Sequence, residues 1–153
     1  MSDLERDFGR AFAKAMRAGG AEVYPLIAGR NSPVGWPDKL VWSRRWGGLV
    51  ELKGPATKVD PIQVLQLQRL HVQRPGTAVL YRRHPTLKDG GTVHWAPPGV
   101  AVERLLAEGL PLTKLLEGQP DWDQRKPIHV EGLLDYLRSW QAQCQFVGEQ
   151  RSP

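Results

Sequence analysis

Two short segments with the composition of β-strands constrain the fold of this chain most strongly. The first runs from Asp38 to Trp42, and the second runs from Gly48 to Lys53. Glycine and proline bound both segments, and a short polar turn separates them, which is typical of two strands joined in sequence. A short connection favours an antiparallel pair, and such a pair would set Asp38 beside Glu51.

Side-chain alternation along the second strand places Glu51 and Lys53 on the same face of the sheet. Two carboxylates brought together repel each other unless a positive group lies between them. Mg²⁺ or Mn²⁺ suits such a position because hard cations prefer oxygen ligands. A metal there can bind a phosphate oxygen and activate a water, which Lys53 can position or deprotonate. The alternative is a solvated Glu51–Lys53 pair on a surface hairpin.

Charge and composition indicate the class of partner. The 153 residues fit one domain, and 21 Lys and Arg against 16 Asp and Glu give a net charge of +5. This balance favours a polyanion such as a nucleic acid. Cys144 is the single cysteine, which excludes an internal disulfide. With no apolar run of membrane-spanning length and no signal pattern at the N-terminus, we expect a cytoplasmic protein without a membrane partner.

Hydrophobic periodicity predicts an α/β fold with a mixed sheet flanked by helices. A core is expected over residues 1–97 and a helical C-terminal extension, packed on it, over 98–153, together forming one domain. The predicted helices cover residues 3–18, 61–74, 100–108, 112–117 and 129–146, and the predicted strands cover 22–27, 38–42, 48–53, 77–81 and 92–95.

Three motifs resemble those of the PD-(D/E)-x-K nuclease superfamily: Gly35-Trp36-Pro37-Asp38, Glu51-Leu52-Lys53-Gly54-Pro55 and Gln63. They are most similar to its VRR-NUC branch, which includes small phage and bacterial nucleases related to Holliday-junction resolvases. The resemblance covers about residues 3–82. It implies a restriction-endonuclease-like core and a structure-selective DNA endonuclease that uses Mg²⁺ or Mn²⁺, in a bacterial cell or a phage-infected host.

The resemblance also implies roles for individual residues. Asp38 and Glu51 would be metal ligands, and Lys53 would be the catalytic lysine. The backbone carbonyl of Leu52 would face the metal as a further ligand.

The resemblance also implies roles for two residues in the predicted helices. Gln63 would lie near the active site on the helix that packs against the sheet; its alternative role is a surface amide. Glu5 is the best candidate for an acidic residue supplied by the first helix. Its alternative role is a first-turn glutamate favoured by the helix dipole. The branch often has a serine before the glutamine helix, where this chain has Asp60, and either residue can cap a helix.

Contacts to DNA are expected from basic and polar residues outside these motifs. Arg30 and Asn31 lie in the loop before the first motif and could bind a phosphate that flanks the cut. Arg44 and Arg45 lie in the turn between the two strands, and Lys58 follows the second motif. Ordinary solvated charge is the alternative for each of them.

Two other functions fit the sequence. The chain could be a non-catalytic nucleic-acid-binding module, or one that is active only inside a larger complex. It could also be a small α/β structural protein in which the motifs are accidental. The helical extension makes a homodimer plausible, because a junction resolvase needs two active sites related by a two-fold axis.

Overall fold

The computed structural model of the chain describes residues 3–26, 35–95, 102–109, 111 and 126–151. These residues form an α/β structure with a six-stranded mixed sheet flanked by helices. In chain order the elements are α1 (Asp3–Ala18), β1 (Glu22–Pro25), β2 (Lys39–Trp42), β3 (Gly47–Lys53), α2 (Pro61–Gln73), β4 (Ala78–Arg83), β5 (Gly90–His94), α3 (Val102–Glu108), β6 (Ile128–His129) and α4 (Val130–Arg151).

The strands lie in the sheet in their chain order, from β1 to β6. Strands β1, β2 and β3 form an antiparallel meander, whereas α2 connects β3 to β4 so that these two strands run parallel. Strand β5 returns antiparallel to β4, and β6 pairs with β5. Strand β1 is an edge strand, which accommodates Pro25 because that residue has no N–H to offer a neighbour.

The turn between β2 and β3 is closed by Ser43 and Trp46. The Ser43 backbone N–H donates to the Trp46 carbonyl (3.1 Å), and the Ser43 hydroxyl also donates to it (2.8 Å). The same hydroxyl accepts the Trp46 backbone N–H at 3.0 Å. These bonds fix the length of the turn and therefore the register of the hairpin.

Each face of the sheet has its own buried cluster. Helices α1 and α4 cover one face, where Val50 and Leu52 of β3 are buried. Helix α2 covers the other face, on which Leu49 packs against a second cluster that includes Val64 and Leu67. This division follows from the alternation of side chains along β3, as the sequence predicts.

Tyr81 of β4 connects the helices of the first face. Its ring centroid lies 5.4 Å from that of Phe8 and 6.1 Å from that of Phe12 in α1. Its hydroxyl donates to the carbonyl of Ile128 in β6 at 2.6 Å, and burial raises the pKa of Tyr81. Leu133 of α4 belongs to the same buried cluster, so the C-terminal helix shares a core with α1.

The predicted order of helix, three strands, helix and strand is confirmed, and α1 has the predicted bounds. Strand β5 begins at Gly90, two residues before the prediction. Strand β6 was not predicted, and the last helix begins after it at Val130. Two residues are too few to show a period in the sequence. The helix predicted over 112–117 lies outside the described residues. No helix among those described is long and apolar enough to cross a membrane.

Candidate active site

The β2–β3 hairpin brings the two carboxylates together. Its register pairs Lys39 with Val50 and Leu40 with Leu49. Continued by one residue, this register sets Asp38 opposite Glu51. Directly opposed residues of an antiparallel pair share a face, so both carboxylates belong to the face that α2 covers.

Backbone hydrogen bonds tie the two strands together at this point. The Leu52 backbone N–H donates to Asp38 Oδ1 at 3.3 Å. In the other direction, the Asp38 backbone N–H donates to the Glu51 carboxylate. Each acidic side chain is therefore held by the backbone of the neighbouring strand.

The backbone carbonyl of Leu52 can face the same site because the residue opposite it, Pro37, is a proline. The Leu49 N–H donates to Thr77 next to β4, so the N–H and carbonyl of Leu52, three residues later, point towards β2. The hairpin register sets Pro37 opposite Leu52, and a proline has no N–H. Strand pairing with residue 37 therefore supplies no donor to the Leu52 carbonyl, which leaves this oxygen suited to a cation.

Two side-chain nitrogens lie against Glu51 on the α2 side. Lys53 Nζ is 3.6 Å from Glu51 Oε1, and the two side chains are only 13% and 10% exposed. Gln63 Nε2 of α2 donates to the same oxygen at 3.1 Å. The structure thus brings together Asp38, Glu51, Lys53 and Gln63.

Gln63 is held by a capping box at the start of α2. The Asp60 side chain accepts the Ile62 N–H at 2.9 Å, and Gln63 Oε1 accepts the Asp60 backbone N–H at 3.1 Å. One end of the Gln63 amide thus caps the helix while the other end holds Glu51. The spacing Asp-x-x-Gln before an apolar run is the sequence signal that indicates the first of these roles.

Glycine is required at the start of the first motif. Gly35 has a φ of +82°, and a Cβ at this position would lie 2.7 Å from Ile62 Cγ2 in the first turn of α2. The left-handed conformation and this close approach both exclude larger residues. Gly35 therefore lets the segment that carries Asp38 pack against the helix that carries Gln63.

Arg82 has a structural role that the motifs do not indicate. Strand β4 pairs Arg82 with Lys53. Its Nη1 donates to the carbonyls of Gly54 (2.9 Å) and Thr57 (2.6 Å). It therefore holds the loop that follows Lys53, and only the parallel pairing of β3 with β4 makes this contact apparent.

The electrostatics of the site favour a bound cation. Burial raises the pKa of Glu51 from 4.5 to about 7; repulsion by Asp38 adds to the rise, and Lys53 opposes it. Burial also raises the pKa of Asp38, while Lys39 opposes that rise. A buried carboxylate, Glu51, and a half-buried one, Asp38, whose negative charges are incompletely compensated would be stabilised by a positive ion.

The donor set fits Mg²⁺ or Mn²⁺. Within the described part of the chain no group of three or more His, Cys, Asp and Glu side chains could hold a metal. Mg²⁺ does not need such a group, because it commonly keeps several waters and uses one or two carboxylates. Asp38, Glu51 and the Leu52 carbonyl match that requirement. Glu5 lies in the first turn of α1, and its side chain is outside the described part of the structure.

The predicted DNA contacts lie in different places. The β2–β3 turn holds Arg44 and Arg45 at the opposite end of the hairpin, about 20 Å from Asp38. Arg45 donates to Asp135 Oδ1 (3.2 Å) and to the Gly19 carbonyl (2.6 Å), and so connects the turn to α4 and to the end of α1.

The other predicted contacts are divided between the described and undescribed residues. Lys58 is exposed in the loop between β3 and α2. Arg30 and Asn31 lie outside the described residues. The DNA contacts of all these residues stay predictions.

Comparison of the chain with protein-family models, with curated proteins and with solved structures finds no match. The fold and the site define an α/β protein with one buried carboxylate, one half-buried carboxylate and a lysine at the end of a hairpin. Its function must therefore be argued from these residues.

Proposed function

We propose that this chain is a divalent-metal-dependent DNA endonuclease with a restriction-endonuclease-like core, of the VRR-NUC-like type within the PD-(D/E)-x-K nucleases. The observation that carries the proposal is the convergence of Asp38, Glu51 and Lys53 at one end of the β2–β3 hairpin. A solvated ion pair would not account for the low exposure of the Glu51 and Lys53 side chains, for the contact with Gln63 or for the raised pKa of Glu51.

Asp38, Glu51 and the Leu52 carbonyl would hold the metal. Bound there, Mg²⁺ or Mn²⁺ would polarise a phosphate oxygen and lower the pKa of a coordinated water. Among the described residues, Lys53 is the one positively charged side chain within 4 Å of the Glu51 carboxylate, and it is not itself a metal ligand.

The protein's own groups position the reaction. Lys53 can orient or deprotonate the attacking water, or stabilise the negative charge that develops on the phosphorus oxygens. Gln63 fixes Glu51 by a hydrogen bond, and the Leu52 N–H fixes Asp38. Groups fixed before the substrate arrives do not have to reorganise during the reaction, which lowers its barrier.

The substrate we propose is DNA with a branched or otherwise distinct structure, and a Holliday junction is the most specific form of this proposal. The net charge of +5 supports a polyanionic substrate. A homodimer would supply the two active sites that symmetric cleavage of a junction needs.

The test is cleavage of labelled four-way junction, flap, duplex and single-stranded DNA with Mg²⁺ or Mn²⁺. We expect Lys53→Ala to reduce the cleavage rate by about 100-fold or more, because it removes both the positioning amine and its charge. Lys88→Ala is the matched control: this lysine is exposed in the loop between β4 and β5 and should leave the rate unchanged.

The outcomes separate the candidate functions. If Lys53→Ala cuts as fast as the wild type, the mechanism is wrong. DNA binding that survives EDTA, with no cleavage under either metal, would identify a non-catalytic binding module instead. A structural protein with accidental motifs would show neither salt-sensitive DNA binding nor a thermal shift with Mn²⁺.

A further inference from the structure

A cleft with a volume of about 490 Å³ lies between α1 and the β1 edge of the sheet. Its described lining carries five basic residues and one acidic residue, Asp38, which is also a candidate metal ligand. The basic residues are Arg6, Arg10, Lys14, Arg17 and Lys39.

Four of these cations form one stripe along α1. Positions 6, 10, 14 and 17 follow each other at intervals of four, four and three residues, which places them on one face of a helix. All four side chains are exposed. Among the described residues, no carboxylate lies within ion-pair distance of Arg10 or Lys14.

Small residues keep the floor of the cleft low. Gly9 and Ala13 line it beside the basic stripe. A Cβ added at Gly9 would lie 4.0 Å from Leu52 Cδ1, so this part of α1 lies directly over Leu52. Asp38 precedes the first residue of β2 and itself lines the cleft, so the cleft reaches the candidate active site although Glu51 lies on the α2 face.

The chain direction shows which end of the stripe lies at the site. Arg17 Nη2 donates to the Val23 carbonyl at 3.1 Å, near the start of β1. Strand β1 then runs back along α1, and the Leu26 N–H that follows it donates to the Asp38 carbonyl at 2.7 Å. Arg6 is therefore at the Asp38 end. From Arg6 to Arg17 the stripe spans about 16 Å, enough for about five phosphates of one DNA strand.

We propose that this cleft, the α1 cleft, binds the sugar–phosphate backbone of one nucleic-acid strand and leads it to Asp38. The row of cations matches the phosphates in charge and in length, while the small floor residues admit the backbone close to Leu52. Such contacts position a strand without reading its sequence. The inference rests on the proposed function for the identity of the ligand, but its test does not require cleavage.

The experiment measures binding in EDTA, by fluorescence anisotropy with labelled duplex DNA, single-stranded DNA and RNA of one sequence. The double variant Arg10→Gln/Lys14→Gln is compared with Arg74→Gln/Arg138→Gln. Both double variants remove two positive charges from exposed positions. In the second pair, Arg74 directly follows α2 and Arg138 lies on α4. Thermal unfolding checks that all proteins are folded.

We expect the α1 variant to weaken binding by about tenfold or more and to lower the slope of log K against log salt by about two. The control variant should change the affinity by less than about twofold. Arg10→Lys, which keeps the charge, should bind nearly as well as the wild type. Equal weakening in both double variants, or none in the α1 variant, would overturn the proposal.

Failure of this inference is distinguishable from failure of the proposed function. If Lys53→Ala abolishes cleavage but the α1 variant binds as the wild type does, the endonuclease stands and the α1 cleft does not. If the α1 variant loses binding while the wild type cuts no substrate with either metal, the cleft stands and the proposed catalysis does not.

Discussion

Glu51 is the residue on which the candidate site is centred. The Asp38 backbone N–H, the Gln63 amide and the Lys53 amine all lie against its carboxylate. Even so, burial together with the Asp38 charge raises its pKa to about 7. The protein holds this carboxylate in place without fully stabilising its charge, which is the condition under which a divalent cation binds well.

The raised pKa predicts how the stability of the metal-free protein depends on pH. Folded Glu51 binds its proton more tightly than the unfolded chain does, so the free energy of unfolding falls as the pH rises from 4.5 through about 7. Glu51→Gln removes this contribution. We expect the variant to gain about 3 kcal/mol relative to the wild type between pH 4.5 and pH 8.

Urea unfolding in EDTA at the two pH values measures this difference. Asp7→Asn is a suitable control because Asp7 is an exposed carboxylate on α1. Parallel pH profiles for Glu51→Gln and the wild type would contradict the proposed environment of Glu51. Added Mg²⁺ should restore stability to the wild type at pH 8 and do so less for the variant.

For single residues, the sequence predicted the positions that follow from the alternation of side chains along one strand. Glu51 and Lys53 share a face because they are two residues apart on one strand, and Asp38 meets them because the turn is short. The contact between Gln63 and Glu51 depends on where α2 packs, and that of Arg82 depends on the pairing of β4. Neither follows from local spacing, which is why only the general vicinity of Gln63 could be predicted.

Among the secondary-structure elements, the start of α2 links stability and function most directly. The capping box of Asp60 and Gln63 satisfies N–H groups that would otherwise have no helical partner. The same first turn contacts Gly35 through Ile62. The helix therefore begins at a place fixed both by its own cap and by the segment that carries Asp38.

Two variants separate these roles of the first turn. Asp60→Ala should lower the free energy of unfolding by about 1 kcal/mol, because it removes the cap. Gln63→Glu should preserve much of the cap, since glutamate serves equally well at this position of a capping box. It replaces the donor to Glu51 by a negative charge, however, and should reduce DNA cleavage more than Asp60→Ala does.

Chemical denaturation and cleavage rates, measured on the same preparations, test this pair. The expectation fails if the loss of activity follows the loss of stability in both variants. In that case Gln63 would act only through the helix.

The bounds of a helix could be predicted where a glycine ends it or a proline begins it. Gly19 ends α1 and Pro61 begins α2, and both bounds agree with the prediction. Strand β6 is instead defined by its pairing with β5, through Gly90 with His129 and Gly91 with Ile128. Pairing partners far apart in the sequence leave no local pattern, so this strand was missed.

For the whole molecule, the C-terminal helix is part of the main core. Leu133, Leu134 and Leu137 of α4 are buried in the cluster that contains Phe8 and Phe12 of α1. The sheet order also follows the chain order. The α/β class and the two-faced packing could be predicted from hydrophobic patterns, whereas the sharing of one cluster by α1 and α4 required the structure.

This sharing predicts cooperative unfolding. Leu133→Ala should lower the free energy of unfolding by about 2–5 kcal/mol, because it leaves a cavity in the cluster common to both helices. The described elements should still unfold in a single transition. Thermal unfolding followed by far-UV circular dichroism and by tryptophan fluorescence tests this, and separate transitions would show that α4 unfolds on its own.

The turn closed by Ser43 and Trp46 has a consequence for how the chemistry could be lost or changed. It lies at the far end of the hairpin, yet it sets which residue faces Asp38. A single inserted residue that is not accommodated by a longer turn or a bulge shifts the strands by one position, which would move Glu51 to the opposite layer of the protein. The geometry of the candidate site therefore depends on a connection at the other end of the hairpin, and a change in the register set there would separate Glu51 from Asp38 without altering either residue.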